Sequence, residues 1–186
     1  MRYLSQSISV IVKDMKQFIL IINGPSNAGK STITELLLSR HKNLFRVSYD
    51  KIKWLISDYS APKYHKVVDE LVYTLAKAAF HKGFSLVADG AMLKETREKY
   101  RRLAANNKVR FLEINLDAPL PVLKARLKQR VASARRAGTK ISVTTVAGMM
   151  RVVRRHYQNK NVDALTFDSS ILTPKQIVAN IEKLLT

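Results

Sequence analysis

Eight consecutive residues, Gly24-Pro25-Ser26-Asn27-Ala28-Gly29-Lys30-Ser31, have the types and spacing needed to hold a polyphosphate. Glycine at both ends of the G-x-x-x-x-G-K-S pattern lets the backbone curl, so that successive N–H groups point inward at anionic oxygens. Lys30 then reaches the β- and γ-phosphates, and the Ser31 hydroxyl joins a magnesium shell. With Thr32, these residues form the candidate cradle for a nucleoside triphosphate. Two acids stand where a second half of the chemistry is needed. Asp50 follows one short apolar run and Asp89 ends another. An acid at such a place either holds magnesium, directly or through water, or accepts the proton of an attacking hydroxyl. Asp50 also reads as an N-cap for Lys51 to Leu55, a role compatible with either.

A third set is cationic. Between Asp117 and Asp163 there is no acidic residue, while the stretch carries eleven Lys and Arg, among them Arg126, Arg130, Arg135, Arg136, Lys140, Arg151, Arg154 and Arg155. Helical surfaces ordinarily interleave both signs, because like charges at i,i+4 repel. A one-signed stretch implies an anionic partner: ATP, an anionic acceptor or a nucleic-acid backbone. Arg126 and Arg130 are i,i+4 neighbours and can face one cleft. The small residues around Gly138 predict a lid over about 130–142 with a hinge there.

Alternating strands and helices must position these groups. Phe18–Ile22 is a short apolar run dense in β-branched residues, the pattern of a buried parallel strand, and the helix Ser31–Leu38 follows the loop. Further strands are predicted at Leu44–Ser48, Phe84–Asp89, Val109–Leu116 and Ala164–Asp168. Helices are predicted at Val67–Phe80, Thr96–Ala104, Leu120–Arg136, Val143–His156 and Lys175–Leu185, with a loop around Ser57–Pro62. Val68, Leu71, Val72, Leu75 and Ala79 mark the apolar face of the helix Val67–Phe80, and Gly83 its C-terminal cap. This alternation predicts an α/β fold with a five-stranded, mostly parallel sheet and helices on both faces. Residues 1–186 read as one domain, with 1–16 as an N-terminal extension. Residues 8–12 of that extension suit an edge strand or a short helix.

Composition narrows the class. The chain has 186 residues, 33 Lys and Arg against 14 acids, a formal net charge of +19 and no cysteine. Disulfides and thiolate metal sites are thereby excluded. No apolar run reaches the length of a membrane span, and no secretory signal is legible, so a cytoplasmic location is expected. The four histidines show no metal-ligand spacing, and His156 reads as a surface residue.

The residues Gly24 to Ser31, Ser48-Tyr49-Asp50, Val87-Ala88-Asp89-Gly90, Leu116-Asp117-Ala118-Pro119, Arg126-Leu127-Lys128-Gln129-Arg130 and Leu165-Thr166-Phe167-Asp168-Ser169 occur in the order and spacing of one protein group. From about Gln17 to Leu185 the chain resembles the small P-loop kinases that include polynucleotide 5′-hydroxyl kinase, zeta toxin and chloramphenicol phosphotransferase, with nucleoside monophosphate kinases as more distant relatives. The segment Asp89 to Arg97 is most like the polynucleotide kinase version. The resemblance implies a nucleoside-kinase-like fold with a basic lid, ATP and Mg2+ as cofactors, and Lys30, Asp50, Arg126 and Arg130 as catalytic residues. It adds Asp168 to the nucleotide-binding set, assigns Ser31 and Asp89 to the metal, and assigns Asp50, Lys53, Trp54 and Asp89 to the acceptor. In polynucleotide kinases an arginine stands three residues after the catalytic aspartate. Here that place holds Lys53, which keeps the charge but not the bidentate fork.

These readings converge on ATP-dependent transfer of the γ-phosphoryl group to a hydroxyl of an anionic acceptor, such as a polynucleotide 5′-hydroxyl or a nucleotide-like metabolite. A small-molecule or nucleoside monophosphate kinase is the first alternative. A nucleotide-gated nucleic-acid-binding module is the second.

Overall fold

Phe18–Asn23 is buried along its whole length and forms β1. Its alternate residues feed two cores: Phe18, Leu20 and Ile22 enter one, Ile19 and Ile21 the other. A strand apolar on both faces belongs at the centre of a parallel sheet covered by helices on each side. The computed structural model describes residues 16–90 and 92–186. The segment 8–12, read as an edge strand or short helix, lies outside the described residues.

From β1 the chain runs through α1 (Lys30–Arg40), β2 (Leu44–Val47), α2 (Tyr49–Lys53), α3 (Ala61–His81), β3 (Ser85–Gly90), α4 (Lys94–Asn106) and β4 (Arg110–Asp117). It closes through α5 (Leu120–Arg136), α6 (Val146–Asn159), β5 (Leu165–Asp168) and α7 (Pro174–Leu185). The five strands lie in the order β2-β3-β1-β4-β5, and every pairing is parallel. Helices α1, α5, α6 and α7 bury Leu37, Leu127, Met149 and Ile181 on one face. Helices α3 and α4 bury Val68, Val72, Phe80, Tyr100 and Leu103 on the other. The connections leave β1 toward β2 on one side and later cross to β4 on the other. This divergence opens a crevice at the carboxyl end of β1, where ligands of such sheets collect.

Several local expectations are corrected. Helix α3 starts at Ala61, so Pro62 lies in its first turn rather than in the preceding loop; proline lacks only an N–H that has no helical partner there. Its buried stripe is Val68, Val72, Ala76 and Phe80, spaced by four, whereas Leu71 and Leu75 stand beside that stripe and are exposed. Gly83 follows the helix end with φ 89°, the left-handed conformation its capping position requires. Helix α2 starts at Tyr49, which places Asp50 inside the first turn and Ser48 at the N-cap. Asp50 is therefore not the cap. Helix α6 begins at Val146, three residues later than its apolar pattern suggests, because Thr145 Oγ1 accepts from Gly148 N at 3.1 Å and caps it there. His156 is not a surface residue: it is buried on α6 beside Met149 and Val153, and burial pushes its imidazole down to about 4.

Candidate active site

The loop between β1 and α1 is shaped by close approach. A Cβ on Gly24 would stand 2.2 Å from the Leu116 carbonyl oxygen of β4, so nothing larger than glycine fits. Asn27 (φ 69°) and Gly29 (φ 97°) take left-handed conformations that turn the backbone inward. Ile33 N–H, donating to Gly29 O at 3.1 Å, starts the helical ladder. Among the described residues, the amides of Asn27, Gly29, Lys30 and Ser31 find no protein acceptor. Buried side-chain atoms of Asn27 are also without partners. A concave row of unpaired N–H groups at a helix N-terminus is an anion site, and the donor set fits a polyphosphate.

Lys30 is turned back onto this loop. Its ammonium donates to the carbonyls of Gly24 and Pro25, each at 2.8 Å. Burial pushes the group down to about 8; the charges of Asp89 and Asp50 oppose that shift and Arg130 adds to it. Lys30, Ser31, Thr32, Asp50, Asp89, Arg126 and Arg130 all line one cavity of about 1120 Å³. Ser26 to Gly29 line it as well, while Gly24 and Pro25 lie behind them, buried.

Asp89 at the end of β3 is nearly enclosed, and Arg46 on β2 donates to its Oδ2 at 2.6 Å. Its Oδ1 has no protein partner among the described residues. Ser31 and Asp89 thus offer hydroxyl and carboxylate oxygens to one cavity. That is donor chemistry suited to Mg2+, which takes one or two protein ligands and completes its shell with phosphate oxygens and water.

Asp50 faces the same cavity from α2. Burial alone would raise its carboxyl, but hydrogen bonds from Lys53 and Ser142, with the charges of Lys53 and Arg130, outweigh burial and hold it below the usual carboxylate range. Lys53 is buried, ion-paired with Asp50, and donates to Ser142 Oγ at 2.6 Å. Its ammonium also lies over the Trp54 ring at 4.8 Å and the Tyr59 ring at 5.8 Å. Trp54 and Tyr59 meet edge to face with centroids 6.3 Å apart. Tyr49 completes this wall, sharing hydrogen bonds with Tyr59 at 2.8 Å and His65 at 2.6 Å.

The two arginines of α5 differ. Arg126 is engaged, donating to Asn27 O at 3.4 Å, Ser169 Oγ at 2.8 Å and Ser169 O at 2.7 Å. Arg130, one turn on, is exposed and has no hydrogen-bond or ion-pair partner among the described residues. Asp168 is not brought into the cavity. Its carboxylate accepts from Ser170 N at 2.7 Å and from the Ser170 hydroxyl, shaping the turn after β5, and the next residue, Ser169, reaches the cavity instead.

Sequence reasoning missed Arg46, Ser142 and the pairing of Arg155 with His65, both of which line the cavity. For Arg46, a charged residue inside an otherwise apolar strand was the available signal. Ser142 carried none.

A family model described as an AAA domain matches residues 19–156. Similar solved structures include a proposed kinase from Chloroflexus aurantiacus, with a TM-score of 0.65 and 18% identity over 90% of this chain and 98% of that one. APS kinase CysC of Mycobacterium tuberculosis, solved with AMPPNP and APS, gives 0.61 and 18% over 92% and 98%. A chain of the Pnkp1/Rnl/Hen1 RNA repair complex gives 0.60 and 16% over 80% of this chain and 46% of that one. No curated protein matches. These likenesses establish the fold, that of a small P-loop kinase. Among the described residues, no helix is long and apolar enough to cross a membrane.

Proposed function

This chain belongs to the AAA domain family, and on that premise we propose that it is an ATP- and magnesium-dependent kinase transferring the γ-phosphoryl group to a hydroxyl of an anionic acceptor. The observation that carries the reading is the meeting of Lys30, Asp50 and Arg130 around one cavity whose floor is a row of unpaired amides.

The amides of Asn27, Gly29, Lys30 and Ser31 cradle the phosphates, and Lys30 leaves the Gly24 and Pro25 carbonyls for the phosphate oxygens. Ser31 and Asp89 would hold magnesium, which would supply positive charge to the phosphates. Asp50, already ionised, accepts the acceptor's hydroxyl proton. A loose phosphoryl-transfer transition state asks more for orientation than for a strong base, so a carboxylate of low proton affinity suffices. Arg130 faces the same cavity as Lys30 and has no hydrogen-bond or ion-pair partner among the described residues, so it reaches the transferring group as the lid over about 130–142 closes. Arg126 stays fixed beneath Asn27 and Ser169, where it frames the nucleotide. Trp54, Tyr59 and Lys53 form the acceptor wall, and Lys51, Lys140 and Arg155 give that side of the cavity positive charge.

Positive charge beyond what ATP needs favours a phosphorylated or sulfated acceptor, or a nucleic-acid end. Two similar folds support that class, one from an RNA repair complex and one holding APS. A labelled γ-phosphate transfer screen over 5′-hydroxyl oligonucleotides, nucleotide-like metabolites, nucleosides and neutral hydroxyl compounds tests it. Transfer to an anionic hydroxyl is expected. Transfer confined to nucleoside monophosphates would replace this reading with a nucleotide kinase.

A further inference from the structure

Ser142 lies in the loop 137–145 between α5 and α6 and closes a three-membered polar ring. Its Oγ donates to Asp50 Oδ1 at 3.0 Å and accepts from Lys53 Nζ at 2.6 Å, while Lys53 is ion-paired with Asp50. The serine is exposed, so neither burial nor capping accounts for its position. A hydroxyl donating to the carboxylate read as the general base makes the contact that an acceptor hydroxyl must make.

We propose that Ser142 is itself a phosphoryl acceptor, modified within its own chain from bound ATP. The proposal rests on the reading of Asp50 as base. In the step, Ser142 Oγ forms a bond to the γ-phosphorus and the bond from that phosphorus to the β,γ-bridging oxygen breaks. The bonding pair leaves on ADP, and the serine proton passes to Asp50. The products are ADP and phosphoserine, with nothing else consumed.

Three further features support the step. Ser142, Asp50, Lys30 and Arg130 line the same cavity, so donor and acceptor sides share one space. Among the described residues no backbone–backbone hydrogen bond holds the loop between Lys140 and Thr144, so turning Oγ toward a phosphate breaks no ladder. Thr145, on the same loop, has its Oγ1 engaged in capping α6. Lys53 and Lys140 surround the site, and a phosphoserine carries close to two negative charges that such cations retain.

The test incubates the full chain with γ-labelled ATP and Mg2+, first alone and then with the acceptor panel. Protein-bound label, phosphopeptide position and ATP consumption are read together. The expected result is one phosphate per chain at Ser142, appearing at a rate independent of protein concentration. Ser142→Thr should keep the label, Ser142→Ala should lose it, and Asp50→Asn should slow it by roughly 10²-fold. A Lys30→Ala chain mixed with the unaltered protein should stay unlabelled. Label on that inactive chain, or on another residue, overturns the proposal. ATP consumption that depends on Lys30 without protein label also overturns it, yet leaves the kinase reading standing. Absence of both label and turnover across the panel defeats the kinase reading as well.

Discussion

The Arg46 guanidinium donates to Asp89 Oδ2 at 2.6 Å, tying the acid at the end of β3 to the neighbouring strand β2. The Asp89 side chain is only 4% exposed, so the carboxylate would otherwise be enclosed without compensation. Arg46 occupies one oxygen of an acid that lines the same cavity as Ser31. Orientation of the candidate magnesium acid thus depends on a residue from a different strand.

Replacing Arg46 with Met removes that compensation. Breaking one side of a buried pair costs about 3 kcal/mol, and urea unfolding should show a loss of that order. The double variant Arg46→Met, Asp89→Asn should recover most of it, because a buried amide carries no unpaired charge. A single-variant loss below about 1 kcal/mol would mean that solvent, not Arg46, carries the Asp89 charge.

Lys30 makes nucleotide affinity pH-dependent. Its ammonium is pushed down to about 8 by burial, below the value of an unfolded chain. Phosphate binds the protonated form, so affinity should be full below pH 8 and decline as pH rises through it. Between pH 7.5 and 9 the protonated fraction falls nearly tenfold, and Kd for a non-hydrolysable ATP analogue should rise by about that factor. For the nucleotide-free fold the sign is opposite: the unfolded chain binds the extra proton between pH 8 and 10.5, so this group's contribution to stability grows across that window. Calorimetric titration at three pH values checks the first effect, with Lys30→Ala expected to bind weakly and without the slope.

Asp50→Asn should lose roughly 10²-fold or more in transfer while binding ATP normally. The substitution keeps size and leaves the cradle intact, since among the described residues the polar partners of the Asp50 carboxylate are Lys53 and Ser142. Equal losses in ATP affinity and turnover would make Asp50 a magnesium ligand instead.

Arg126 and Arg130 should separate in their effects. Arg126→Ala removes hydrogen bonds to Ser169 and Asn27, so it should cost about 1–2 kcal/mol of stability along with turnover. Arg130→Ala removes no hydrogen bond or ion pair found among the described residues and should leave the melting curve unchanged. Its turnover should fall by roughly 10³-fold if the guanidinium reaches the transferring group. Comparing melting temperature and kcat for the two variants decides it; equal loss of stability would put Arg130 in the framework.

Short-range chemistry was legible in the sequence alone. The cradle is contiguous, so two glycines, a lysine and a serine at fixed spacing specify it wherever the chain goes. Phe18–Ile22 announced a doubly covered strand because every residue is apolar, which makes sense only with helices on both faces. Asp50 and Asp89 were recognisable because one follows a strand and the other lies at the end of one, and the carboxyl ends of parallel strands share one edge of the sheet.

Tertiary structure decided the partners. Arg46 meets Asp89 because β2 lies beside β3 rather than beside β1, an order that no local pattern encodes. Lys53 and Ser142 are 89 residues apart and meet only because the α5–α6 loop returns over α2. Asp168 and Ser169 are chain neighbours, and the turn after β5 alone determines that the serine enters the cavity. His156 reads as a surface residue in the sequence, but it shares the buried face of α6 with Met149 and Val153. Spacing along the chain fixes backbone shape and face; which faces then meet depends on long-range packing, where the energy comes from area buried between elements far apart in sequence.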